Sequence, residues 1–360
     1  MFSKYNLVPF CITEKGLKVL EKDEATRELI CEAQNDRKLK NKRNCNVPGV
    51  ILNMPYVSPK DKADMEFACD QGLDFIAASF VRRADDIRQI REILAAKGNT
   101  HVKIISKIEN QEGVSNMAKI IELSDGVMVA RGDLGVDVDA WDLPAIQKEM
   151  IFLAQSTGKI VVCATQMLDS MQQNPRPTRA EVSDIHNAVL DGTDAVMLSG
   201  ETTVGKHPVE TVRAMANICE VTEQYAEFDY IRENEKVKTI PMAIAESVVD
   251  SANRLDAKLI CAATMSGSTA KAISNFKPKA PILALCPDDK TARRLALNWG
   301  VHTATLQLCH STDEVLTESL RVAKESVELV KDDIVIFTGS FPNIGKPKPT
   351  NLMKIEQIKD

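Results

Sequence analysis

From about residue 60 the chain alternates short apolar, β-branched runs with stretches of helical periodicity. Phe75-Ile-Ala-Ala-Ser-Phe80 is apolar without polar alternation, as expected of a strand covered on both faces. Asp85 and Asp86 then open a helix whose Ile87, Ile90 and Leu94 recur at helical spacing. Four more strands are predicted over Val102 to Glu109, Gly126 to Asp133, Lys159 to Gln166 and Ala195 to Gly200. One intervening helix has Pro144 near its start and Gly158 just past its end, the usual capping asymmetry. Five consecutive βα units imply a parallel sheet.

Polar residues gather at the ends of these strands: Lys107 and Glu109, Arg131 and Asp133, Thr165 and Gln166, Ser199 and Glu201. A βα barrel builds its site on one rim from several strand ends, whereas a doubly wound sheet places ligands at a single switch point. The pattern therefore favours a barrel with a metal-and-anion site on its rim. Lys107 and Glu109 lie two apart, so both side chains point to one face. That pairing is costly in a plain core but sensible beside a phosphorylated ligand and a hard cation.

A second βα run follows an acidic stretch near Tyr225 to Lys238. Its predicted strands are Leu259 to Thr264, Ile282 to Leu285, Thr303 to Leu308 and Asp333 to Thr338, with helices over Ala243 to Leu255 and Asp288 to Trp299. The N-terminal part differs: Leu17 to Leu20 and Glu28 to Glu32 form β segments ahead of a polar turn. The division is therefore 1–47, a small β element; 48–224, the barrel-type domain; and 225–360, a C-terminal α/β domain.

Composition narrows the function. A net charge of -6 argues against a nucleic-acid footprint, and the one dense basic run, Arg37 to Arg43, reads as a solvated loop. Nine cysteines are scattered without CxxC or zinc-like spacing, and Cys163 and Cys261 sit in apolar runs. Free buried thiols suit a reducing compartment. No signal segment or bilayer-length apolar run is evident, so a cytoplasmic protein without membrane partners is expected.

Ile104-Ile-Ser-Lys-Ile-Glu-Asn-Gln-Glu-Gly113 closely resembles the active-site signature of pyruvate kinases. Met128 to Asp133, Cys163 to Met171, Asn174 to Glu181 and Met197 to Thr202 match the same family in the same order. The resemblance implies phosphoryl transfer from phosphoenolpyruvate to ADP in glycolysis, with Mg2+ (or Mn2+) and usually K+. It implies that Lys107 neutralises the phosphoryl group in flight and that Glu109 and Asp133 hold the divalent ion. Gly132, Asp133 and Thr165 would bind the substrate carboxylate, and Thr165 and Ser199 would serve the relay that protonates the enolate. Arg43 stands where relatives often carry a nucleotide-contacting lysine, and Val204 where they commonly carry a lysine that helps bind ADP.

The C-terminal domain resembles the family's three-layer regulatory domain. Thr264, Ser266 and Thr269 match positions that bind a sugar phosphate in activated relatives, and the 339–350 loop, with Lys346 and Lys348, matches the effector loop. A plain helix cap is the alternative reading of that Gly-Ser-Thr turn. The family is usually tetrameric, so a homo-oligomer is expected.

The resemblance is to an N-terminally truncated enzyme. Five strands (the fourth to eighth) of the eight that a barrel closes with are found. The first 47 residues resemble only the end of the lid domain. The phosphate and K+ ligands carried by the first three strands have no match. An open remnant is expected to expose two strand edges and its apolar lining. A catalytically silent or partner-dependent protein retaining metal and effector binding is the alternative function. An aldolase-type barrel using Lys107 as a Schiff base is a further one, disfavoured by the neighbouring Glu109 and Asp133.

Overall fold

Strands buried on both faces need cover from two directions, and the central sheet of this protein finds it in two different domains. The computed structural model describes residues 9–12, 15–36, 47, 50, 51, 53–228, 239–307, 309–340 and 349–359. The described residues form three sheets. The first is antiparallel, with strands β1 (Pro9–Ile12), β2 (Lys15–Asp23) and β3 (Glu28–Ala33) in sequential order.

The second sheet is wholly parallel, ordered β4 (Phe75–Ala78), β5 (Lys103–Ile108), β6 (Gly126–Ala130), β7 (Ile160–Ala164) and β8 (Ala195–Met197). Among the described residues, β4 and β8 each pair on one side only. Helices α1 (Pro59–Asp70), α2 (Ala84–Ala96), α3 (Gln111–Ser115), α4 (Met117–Leu123), α5 (Arg131–Asp137), α6 (Leu143–Ser156), α7 (Arg179–Leu190), α8 (Gly200–Thr203) and α9 (Pro208–Tyr225) follow and intersperse these strands. The outer face of the sheet buries Ile104, Ile108, Val127, Val129 and Val161 against Ile87, Ile90, Ile120 and Ile151 of these helices.

The inner face carries the alternate residues: Phe75, Ile105, Met128, Ile160, Val162, Ala164, Ala195 and Met197. The expectation of an exposed apolar lining is wrong for its centre. Ile105, Met128, Ile160, Val162 and Ala164 are all buried, and Leu297 of the C-terminal domain packs among them. The second domain thus forms the floor of the arc.

That domain has α10 (Ile240–Arg254), β9 (Leu259–Ala263), α11 (Ser268–Asn275), β10 (Ile282–Cys286), α12 (Asp289–Arg293), β11 (Val301–Thr305), α13 (Thr312–Ser326), β12 (Ile334–Gly339) and β13 (Leu352–Gln357). Its sheet order is β11-β10-β9-β12-β13, with only β13 antiparallel. Alternate strand residues feed two cores. Ile260, Ile282 and Ile336 pack with Val248 and Ile273 on one face, and Leu259, Leu283 and Phe337 with Val315 and Val322 on the other. This is the three-layer α/β arrangement.

The helix predicted from Asp288 to Trp299 ends at Arg293, and the next residues turn so that Leu297 and Trp299 reach the first domain. The predicted strand from Thr303 to Leu308 is observed at Val301–Thr305. Strand β13 carries no strong period-2 pattern and was not predicted.

Interdomain ion pairs fix the floor, three of them among the described residues. Lys277 pairs with Asp194 at the start of β8, and Arg293 with Asp74 at the start of β4 (Nε to Oδ2, 2.7 Å), with Arg294 as a longer second partner of Asp74 at 3.9 Å. Asn275 also donates from Nδ2 to the Gln155 carbonyl at 3.1 Å. Among the described residues no helix is long and apolar enough to cross a membrane.

Candidate active site

The inner-face parity of β5 brings Lys107 and Glu109 together at the upper rim, with Lys107 Nζ 2.6 Å from Glu109 Oε1. Lys107 also donates to Ser79 Oγ at 2.9 Å, and the Phe80 amide donates to Glu109 Oε2 at 2.6 Å. Glu109 is 1% exposed. Burial is the main influence raising its carboxyl above the usual range, and Asp133's charge adds to it. The Lys107 ammonium and Phe80 amide oppose the rise without cancelling it. The Glu109 Oε1 atom has the lysine charge beside it but no aligned hydrogen bond.

Asp133 was expected at a strand end. The strand stops at Ala130, and Arg131, Gly132 and Asp133 form the first turn of α5, where a carboxylate is favoured by the helix dipole. Asp133 is exposed at the rim. Strand β7 also ends earlier than predicted, at Ala164. Thr165 and Gln166 then adopt left-handed backbone, φ 72° and 53°. For a β-branched residue that conformation is a true outlier. It turns the Thr165 hydroxyl to accept from the Gly132 amide and donate to the Ala164 carbonyl, both at 2.6 Å. A Cβ at Gly132 would stand 3.4 Å from Thr165 Cβ and Oγ1, a contact that glycine leaves open.

Ser199 lies after β8, with its amide donating to Glu201 Oε2 at 2.7 Å. Buried Glu201 also accepts from the Leu168 amide at 3.2 Å, so it ties the loop after β7 to the loop after β8. Glu181, at the end of another family-like segment, has a structural role. It forms a capping box with Thr178 at the start of α7 and accepts from the Ser170 amide and hydroxyl at 2.7 and 2.6 Å.

The rim therefore gathers Lys107, Glu109, Gly132, Asp133, Thr165 and Ser199 from β5, α5 and the loops after β7 and β8. Sequence reasoning missed Ser79 as a partner of Lys107. Its signal was the alternation Phe75 and Ala77 along one face of β4, continued by Ser79 just past its end. Val204 is 77% exposed. Arg43, Lys346 and Lys348 lie outside the described residues.

Among the described residues no group of three or more His, Cys, Asp or Glu side chains could hold a metal. Two rim carboxylates, Glu109 raised by burial and further by the charge of Asp133, still suit a hard cation that takes its remaining oxygens from water and a phosphorylated substrate. In the C-terminal domain, Thr264 Oγ1 accepts from the Gly267 amide at 2.9 Å, and Thr269 Oγ1 lies 2.8 Å from Thr350 Oγ1. Only Ser266 of the three candidate effector residues is exposed.

Comparison with known proteins gives the same direction. Residues 13–212 match the family described as "Pyruvate kinase, barrel domain", and residues 242–356 match "Pyruvate kinase, alpha/beta domain". The chain is 48% identical over 348 residues to the pyruvate kinase of Geobacillus stearothermophilus, covering 96% of this chain and 59% of that one. It is 45% identical to that of Bacillus licheniformis with the same coverage. To that of Clostridium perfringens (strain 13 / Type A) it is 44% identical over 336 residues, 92% of this chain and 71% of the relative. The chain thus spans 59% of the length of the first two relatives.

Proposed function

The chain belongs to the pyruvate kinase family, and on that premise we propose that it serves phosphoryl transfer from phosphoenolpyruvate to ADP, giving pyruvate and ATP. The observation that carries this reading is the inner-face Lys107–Glu109 pair at 2.6 Å on a rim shared with Asp133 and Thr165. Phosphoryl transfer depends mainly on positioning and on charge stabilisation at the equatorial oxygens, which suits such a rim.

Lys107 is held by Ser79 and Glu109 and offers a cation to the transferring group. Glu109 and Asp133 are the residues that would hold Mg2+ or Mn2+. When bound, that ion supplies Lewis-acid polarisation of a phosphoryl or carboxyl oxygen. Thr165 and the amides of Gly132 and Asp133 bind and orient the substrate carboxylate, the Thr165 hydroxyl exchanging its present partner for the ligand. Ser199 and Thr165 are our candidates for moving the proton to the enolate. K+ and a nucleotide contact at Arg43 enter only through likeness to the family.

We also assign a sugar-phosphate effector to the Thr264–Thr269 loop. Binding there requires the Thr264 and Thr269 hydroxyls to leave Gly267 and Thr350. The sequence division into 1–47, 48–224 and 225–360 is retained, supported by three separate sheets. A cytoplasmic homo-oligomer is proposed, the free buried cysteines supporting a reducing compartment.

A coupled assay for pyruvate from phosphoenolpyruvate, ADP, Mg2+ and K+ tests the main claim. Turnover that disappears in Lys107→Met is expected, and absence of turnover in the unaltered chain overturns it. Calorimetry with fructose 1,6-bisphosphate tests the effector site, where absence of heat and of any stability change counts against it.

A further inference from the structure

We propose that Arg131 is a positioning residue for the candidate site, holding the left-handed Thr165–Gln166 turn so that the Thr165 hydroxyl faces the Gly132 amide. The guanidinium side chain is 8% exposed and lies across the end of β7. Its Nε and Nη2 donate to the Thr165 carbonyl at 3.2 and 2.8 Å, and Nη2 reaches the Gln166 carbonyl at 3.3 Å. The Met167 sulfur is 3.2 Å from the same nitrogen. On the far side Nη1 donates to Asp184 of α7 at 2.8 Å.

Two consecutive non-glycine residues at positive φ are strained and persist only when their surroundings over-determine them. The turn points the Thr165 and Gln166 carbonyls at one place, and Arg131 fills it with a rigid fork of donors. Asp184 fixes the plane of that fork from behind. Arg131 also opens α5, immediately before Gly132 and Asp133. One side chain therefore sets both the Thr165 hydroxyl and the backbone amide it faces. The guanidinium is committed to these partners, so its action on a ligand is indirect.

Lysine keeps the charge but lacks the planar fork, so Arg131→Lys separates geometry from charge. The inference rests on reading Thr165 as a substrate contact, but its first test needs no catalysis. In isotope-labelled chain, backbone NMR shifts report φ at Thr165 and Gln166, and the Thr165 methyl reports its side chain. Arg131→Lys is expected to shift the Thr165 resonances and its φ. Gln166→Gly tolerates the left-handed conformation without strain, so adding it should restore them. Asp184→Asn, which only loosens the fork, should shift the same resonances less and serves if Arg131→Lys does not fold.

Unchanged Thr165 resonances in either folded variant, or a shift that Gln166→Gly does not reverse, overturn the proposal. The second test titrates phosphoenolpyruvate with Mn2+ and follows the Thr165 methyl. Arg131→Lys should weaken that binding roughly 10- to 100-fold, by analogy with outer-shell groups that orient metal ligands. Equal affinity in variant and parent overturns the positioning role. A parent whose methyl ignores the ligand refutes the functional reading of Thr165 instead, and leaves the first test standing.

Discussion

Replacing Lys277 by methionine should weaken the protein far more than loss of a surface ion pair. The Lys277 side chain is 1% exposed and its partner Asp194 is 6% exposed. Asp194 also accepts from the Val161 amide at 2.9 Å, which ties the pair to the start of β7. The ammonium lies 5.2 Å from the Trp299 ring centroid, a cation–π contact. Removing the lysine leaves a buried carboxylate with one amide for company, a change that costs about 3–5 kcal/mol. The lost cation–π contact adds about 0.5–2 kcal/mol. Replacing both partners, in Lys277→Met with Asp194→Asn, removes the stranded charge and should recover most of the first loss. Urea unfolding followed by Trp299 emission reads this directly once the exposed Trp141, at 78%, is changed to phenylalanine. A loss below about 1 kcal/mol in Lys277→Met, the range of exposed pairs, refutes the reasoning. So does a double variant whose loss is the sum of the two singles.

Three other outcomes are expected. Asp125 accepts from Arg91, Lys103 (3.0 Å) and the Ile104 amide (2.9 Å). Burial is the largest single influence and raises its carboxyl, but these partners together hold it below the ordinary 3.8. Its contribution is thus complete above 3.8 and lost as pH falls through the folded value, so Asp125→Asn should flatten the acid limb of a stability–pH curve. Gly205→Ala should destabilise by about 1–3 kcal/mol in thermal unfolding, because its Cβ would stand 2.2 Å from the Glu201 carbonyl oxygen. Burial pushes the Cys163 and Cys261 thiols up to about 12, so iodoacetamide followed by mass spectrometry should leave both unlabelled until denaturant is added.

The strand alternation in the sequence was enough to place Lys107 and Glu109 on one face, because side-chain parity in a strand is a local property. The same rule failed beyond β6 and β7. Nothing local distinguishes a strand end from the first turn of α5 at Arg131, and nothing in Thr165 or Gln166 announces a left-handed turn, since neither residue favours it. That turn is sustained by Arg131 and Asp184, residues 34 and 53 positions apart in the relevant pairs, so only the folded chain reveals it. The buried lining was misjudged for a related reason. Leu297 was assigned to a helix of its own domain, and its packing partners lie far earlier in the chain.

That leucine changes what counts as a unit of unfolding. A side chain from the C-terminal domain completes the inner core of the β4–β8 arc, so the sequence boundary near residue 224 does not separate two independent cooperative blocks. Calorimetry should show the arc and the C-terminal domain melting in one transition rather than two. Cutting the chain between them would remove the hydrophobic floor of the arc along with the C-terminal domain, and amide exchange at β5, β6 and β7 would accelerate even though no residue of those strands had been altered.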